Sequence, residues 1–254
     1  MRTTIGTYYP VQSFIHRLDG RVKILLVLLG TVTLFIVKSF YALLFLALFY
    51  LLVFLLSNLP AYWIYKALRP VLVIILIAFL FQIGFSAEPD IFLRVIAGLR
   101  VVSRIVILVG LASVMSFTTT PPELTFALES LLAPLKILKL PVAEFALSLT
   151  IALRFIPQIL TEASDLVKAQ KARGADFSSS NWYKRGKALI PLFVPLFILT
   201  YRQSEELGRA MEARAYHGAD GRSRYKERYL KNTDYLVFAA TLIILTIALL
   251  IGRL

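Results

Sequence analysis

The chain has no cysteine among its 254 residues, so disulfides, thiolate metal sites and thiol nucleophiles are all excluded. Only two histidines occur, His16 and His217, in separate polar segments and without the His-Glu-x-x-His spacing of a helical zinc site. No glycine-rich run ends in Gly-Lys-Ser or Gly-Lys-Thr, so the chain has no recognisable nucleotide-phosphate loop of its own. A Gly-x-Ser-x-Gly nucleophile elbow is also missing. Acids are absent from the apolar runs, which removes paired intramembrane aspartates and disfavours a proton relay. The N-terminus is polar from Thr3 to Asp19, unlike a removable signal peptide.

Apolar residues are abundant. They make up 58% of the chain, against roughly 45–50% in soluble domains, and mean hydropathy is +0.75. Crossing the hydrocarbon layer takes about 20 mostly apolar residues. Five runs qualify: Val22 to Val37, Tyr41 to Ser57, Val71 to Phe85, Val95 to Phe117 and Tyr235 to Ile251. The third is short, and its helix is expected to extend back into Ala67 to Pro70. The reading is an all-α polytopic membrane protein with about five transmembrane helices: a four-span region over 1–117, a cytoplasmic or interfacial region over 118–234, and a last span over 235–254.

The formal net charge of +13 would suggest nucleic acid in a soluble protein. Here the bases crowd the segments between apolar runs, as in cytoplasmic loops, so nucleic acid is not an expected partner and the bilayer is. Arg17, Arg21 and Lys23 precede the first span, Lys66 and Arg69 lie between the second and third, and Glu88 and Asp90 follow the third. The positive-inside rule therefore puts the N-terminus and the 118–234 region in the cytoplasm. Arg100 and Arg104 share one face of the fourth span, one turn apart. They either contact a partner within the membrane or lie at headgroup depth, since a central arginine costs about 2.5–3.5 kcal/mol on translocon-type scales.

Residues 118–234 hold 17 Lys or Arg and 12 Asp or Glu, yet apolar residues recur throughout, unlike a linker or disordered tail. Leu124, Leu128, Leu131, Leu132, Leu135 and Leu138 repeat at helical spacing after Pro121-Pro122-Glu123. A second helix opens at Pro141 and carries the apolar run Phe145 to Leu160. Arg154 and Pro157 interrupt that run, so it is expected to lie along the membrane surface, with a sixth span as the alternative. It then turns polar and ends at Gly174, a helix-terminating residue. The pattern repeats: Trp182 to Tyr201 is apolar, Arg202 to Arg214 is polar. Each helix thus ends in a small-Arg-small tripeptide, Ala172-Arg173-Gly174 and Ala213-Arg214-Ala215. An arginine near a helix C-terminus complements the partial negative charge there for about 0.3–1 kcal/mol. Two matching tips 41 residues apart point further, to two docking sites where a guanidinium between small neighbours enters a groove.

The segments Ser13 to Lys23, Ala169 to Phe177 and Met211 to Tyr216 resemble the transmembrane T component of energy-coupling factor transporters, the CbiQ/EcfT family of prokaryotic ABC-type importers, and the likeness runs over nearly the whole chain. The resemblance implies a non-catalytic coupling subunit in the cell membrane, with Ala172, Arg173, Gly174, Ala213, Arg214 and Ala215 docking on two cytoplasmic ATPases (EcfA and EcfA′-like). ATP and Mg would be bound by those partners and no cofactor by this chain. A membrane-embedded substrate-binding S component would rest on apolar surface that includes Leu124, Leu128, Leu131, Leu135, Phe145 and Leu149. Ala215 stands where the family often has glycine, so the backbone there is expected to avoid a glycine-only conformation. Ala175-Asp176-Phe177 resembles the shared type, which serves several S components. A dedicated importer of cobalt, nickel or biotin is the nearer alternative, and a non-catalytic membrane scaffold binding anionic lipid is the alternative of a different class.

Overall fold

The computed structural model describes residues 9–85, 90–138, 141–175, 182–218 and 229–252. All regular structure among them is helical: α1 (Gly20–Ile36), α2 (Phe40–Leu56), α3 (Ala61–Leu68), α4 (Leu72–Phe85), α5 (Ile91–Thr118), α6 (Pro121–Leu132), α7 (Val142–Ala172), α8 (Trp182–Ala213) and α9 (Asn232–Ile251). The chain divides into two compact units, 1–131 with 227–254, and 132–226.

In the first unit the membrane helices bury a dry core. Leu34 and Val37 from the end of α1 meet Ala42, Leu43 and Leu46 of α2, Ile107 of α5, and Leu245 and Ala248 of α9. Small residues let the backbones approach, as expected where helices associate by packing alone. A Cβ at Gly98 would lie 2.8 Å from the ring of Phe79, and one at Gly30 would collide with the Tyr50 hydroxyl. A second cluster forms where Ile15, Leu59, Val114 and Phe117 join, with the Trp63 ring between Tyr9 (5.8 Å) and Phe117 (5.6 Å).

Polar groups tie the ends of these helices. Asp19 caps α1 by accepting the Arg21 N–H at 2.8 Å. The buried Asp234 carboxylate accepts the N–H groups of Asp19 at 3.1 Å and Lys231 at 2.8 Å, joining the starts of α1 and α9. Lys23 donates from its ammonium to the Thr118 carbonyl at 2.9 Å, and the Tyr9 N–H reaches Phe117 O at 3.0 Å, so two carbonyls left open at the end of α5 are satisfied. Much of the Ser13 to Lys23 signature is thus a clasp around the ends of three helices.

Among the described residues, four stretches are long and apolar enough to cross a membrane: Ala61–Phe85, Ile91–Thr118, Val142–Ala172 and Asn232–Ile251, with α2 a shorter apolar helix. This is a multi-pass membrane protein. Two expectations change. The third span reaches back past Ala67 to Ala61, because Pro70 sits in a single 3-10 turn, Arg69–Val71, that links α3 to α4. The second concerns Pro157, which does not interrupt α7: the helix runs unbroken for 31 residues through it, with a length and composition that also meet the requirement for a span. Proline removes its own N–H and crowds one carbonyl, a local defect that long flanking turns absorb.

The second unit is built on α7 and α8, which pack against each other. At 31 and 32 residues they are each roughly 45–50 Å long. Glu162 joins them, its Oε1 accepting the side-chain amides of Gln203 on α8 at 2.5 Å and of Gln158 on α7 at 3.2 Å.

Candidate docking site

The two arginine tips have the same backbone design. At the end of α7, the Gly174 N–H bonds Lys171 O at 3.0 Å and the Ala175 N–H reaches back to Gln170 O at 3.0 Å. At the end of α8, the Ala215 N–H bonds Glu212 O at 2.8 Å and the Tyr216 N–H reaches Met211 O at 3.0 Å. This paired pattern is the Schellman motif, which requires a left-handed residue just past the cap. Gly174 (φ +87°) and Ala215 (φ +54°) are those residues. Arg173 and Arg214 hold the cap position itself, the last residue before the chain reverses.

The small neighbours now have distinct jobs. Gly174 supplies a positive φ and has nothing within 4 Å of where a Cβ would stand, so open space surrounds it. Ala215 takes the left-handed conformation although it carries a Cβ. At φ +54° the backbone is in the left-handed α region, which an L-residue enters at a cost but which is not open to glycine alone, and the two capping bonds hold it there. Ala172, Arg173, Gly174, Ala213, Arg214 and Ala215 are all exposed. Neither guanidinium is engaged by an ion pair or hydrogen bond among the described residues. Nearby charges pair locally instead, Lys168 with Asp165 at 2.7 Å and Arg209 with Glu205 at 3.7 Å. Both arginines are thus presented at the ends of rigid helices with their donors available, an arrangement suited to bidentate capture of a carboxylate.

Over residues 11–225 the chain matches a family model described as cobalt transport protein, CbiQ. It is 42% identical to the energy-coupling factor transporter transmembrane protein EcfT of Clostridium kluyveri, over 97% of this chain and 96% of that one. The proteins of the same name from Ruminiclostridium cellulolyticum (40% identity; 96% and 94% covered) and Bacillus subtilis (37%; 94% of each) agree. The chain belongs to the CbiQ/EcfT family. As a CbiQ/EcfT protein it is a membrane component of a transporter.

The six leucine and phenylalanine positions expected to meet a membrane partner divide between the two units. Leu124, Leu128 and Leu131 belong to the first unit, where Leu128 is the most open at 38% exposure. Phe145, at 59%, and the half-buried Leu149 belong to the second. The side chain of Leu135 lies outside the described residues. The wider apolar face was missed: Leu189, Ile190, Phe193, Val194, Phe197 and Ile198 form an exposed stripe along α8. Their spacing, pairs repeated every fourth residue, was visible beforehand as a helical stripe. Arg100 and Arg104 lie on α5 in the first unit. They bind the turn after α1: Arg100 donates to Lys38 O at 3.3 Å and Arg104 to Val37 O.

Proposed function

We propose that this CbiQ/EcfT chain is the coupling subunit of an ECF-type importer of vitamins or other micronutrients, seating one cytoplasmic ATPase on Arg173 and another on Arg214. The observation that carries the reading is the pair of equivalent Schellman tips, each presenting an unengaged arginine. ATP and Mg belong to the ATPases, and the N-terminus with both tips faces the cytoplasm, as the basic loops favour. When the ATPases close on ATP, the tips are drawn with them and α7 and α8 carry the motion along their length. The exposed α8 stripe, with Phe145 and Leu149, offers apolar area on which a membrane-embedded S component rests and is reoriented.

The relatives are named for an energy-coupling factor transporter and the family model for cobalt transport, and the two readings, a shared T component and a dedicated importer, differ in their partners. Co-purification separates them: several different S components recovered with the chain support the shared type, and one metal-specific partner supports the dedicated type. The coupling reading itself is tested with Arg173→Ala/Arg214→Ala. Loss of both ATPases from the purified complex, with membrane insertion unchanged, is the expected outcome. Normal ATP-driven uptake by that variant overturns it.

A further inference from the structure

Arg100 and Arg104 carry more positive charge than the described residues around them neutralise. Each donates through one Nη group to a carbonyl of the three-residue turn between α1 and α2. Their Nε atoms are buried without partners, and neither arginine forms an ion pair with a carboxylate among the described residues. The other Nη groups are not sealed in the interior and have no partner there either. Lys38, exposed in the same turn, adds a third cation. The C-terminal end of α1 contributes about half a negative charge, which leaves most of the three unbalanced.

The flanks of the turn are apolar. Phe35, Ile36, Phe40 and Tyr41 adjoin it in sequence and are 40% to 77% exposed. A turn joining two apolar helices, bearing a lysine and a tyrosine, has the make-up of a membrane interface. Cations grouped there, beside groups that match acyl chains, are chemically complementary to a lipid phosphate.

We infer that Lys38, Arg100 and Arg104 form a binding site for the phosphate group of an anionic phospholipid. The lipid phosphate takes the open Nη donors in the fork geometry guanidinium favours, and its acyl chains lie against Phe35 and Ile36. A choline headgroup would bring a fourth cation to the site, so a lipid with net negative charge is preferred.

The test supplies purified full-length chain with equal amounts of phosphatidylglycerol and phosphatidylcholine and counts retained lipid by native mass spectrometry. Wild type retains phosphatidylglycerol preferentially, and each basic residue removed lowers that preference about fivefold. Arg100→Gln/Arg104→Gln therefore lowers it about twenty-five-fold, while Lys168→Gln/Arg209→Gln, on the second unit, leaves it unchanged. Should the double variant fail to fold, Arg100→Gln alone keeps the Arg104 bond to the turn and shows the single fivefold drop. Wild-type preference in either arginine variant overturns the site. Displacement of the lipid by an equal concentration of inorganic phosphate overturns the lipid as its occupant.

Discussion

Glu162 Oε1 accepts the side-chain amide of Gln203 at 2.5 Å, and each of these two residues stands eleven positions before the arginine at the end of its helix. The 41-residue repeat that relates Arg173 to Arg214 therefore also relates the two halves of the joint between α7 and α8. At 1.5 Å per residue both arginines lie about 16 Å along their helices from that joint. Under the coupling proposal, a pivot at equal distance from both tips gives them equal leverage.

Cutting the joint is expected to cost more than a surface contact. A hydrogen bond to a charged group contributes about 1.5–3 kcal/mol, so a double-mutant cycle on Glu162→Ala and Gln203→Ala is expected to show coupling in that range by thermal unfolding. Under the coupling proposal, Gln203→Ala also lowers ATP-driven uptake while both ATPases still co-purify, because the tips are intact. A coupling energy under about 0.5 kcal/mol would reduce the bond to an ordinary exposed pair.

The two tips respond oppositely to exchange of their left-handed residues. An L-residue in this conformation costs about 1–2 kcal/mol, and glycine avoids that at a smaller cost in chain entropy. Ala215→Gly is thus expected to stabilise the end of α8 by about 0.5–1 kcal/mol. Gly174→Ala is expected to destabilise the end of α7 by about 1 kcal/mol through backbone strain alone, since a Cβ there meets nothing. Hydrogen exchange of the Tyr216 and Ala175 amides reads each cap, and changes of the same sign at both would contradict this account.

The tips were legible in the sequence because a cap is local: helix, arginine, small residue and break lie within a few positions. The membrane helices were legible for the same reason, apolar content being a property of a short window. Three features needed the structure. Pro157 reads as an interruption in a count of consecutive apolar residues, but α7 continues because one lost backbone bond is small beside the remaining hydrogen bonds of a 31-residue helix. Arg100 and Arg104 showed no partner because their acceptors, Val37 O and Lys38 O, are backbone atoms more than 60 residues away. Glu162 and Gln203 were hidden for a related reason, although their 41-residue spacing repeats that of the arginines.

Asp234 begins the last helix, yet its carboxylate serves α1 as much as α9. It is 2% exposed and accepts two backbone N–H groups, those of Asp19 and Lys231. Asp234→Ala leaves both amides without their acceptor, at a cost of about 2–4 kcal/mol. Asp234→Asn keeps one acceptor oxygen and is expected to lose roughly half as much. Thermal unfolding in detergent checks the order: wild type, then Asn, then Ala. Equal stability of all three would show that water replaces the carboxylate and that the clasp between α1 and α9 adds nothing.

His16 makes this clasp sensitive to pH. Its Nε2 lies 3.0 Å from Tyr9 O, which can only accept, so Nε2 carries the proton and Nδ1 accepts from the Ser13 hydroxyl at 2.6 Å. Burial lowers the imidazole pKa from 6.5, with nearby Lys23 acting in the same direction, against the raising effect of the Tyr9 carbonyl. A lowered folded-state value means the unfolded chain takes the proton first as pH falls. The stabilisation is complete above 6.5 and is lost progressively as pH drops through the folded-state value. Between about pH 7 and about pH 5, thermal stability of the wild type is therefore expected to decline more steeply than that of His16→Gln, which can still donate to Tyr9 O but cannot titrate. Parallel pH profiles for the two proteins would assign the decline to other groups and leave His16 as a hydrogen-bonding spacer.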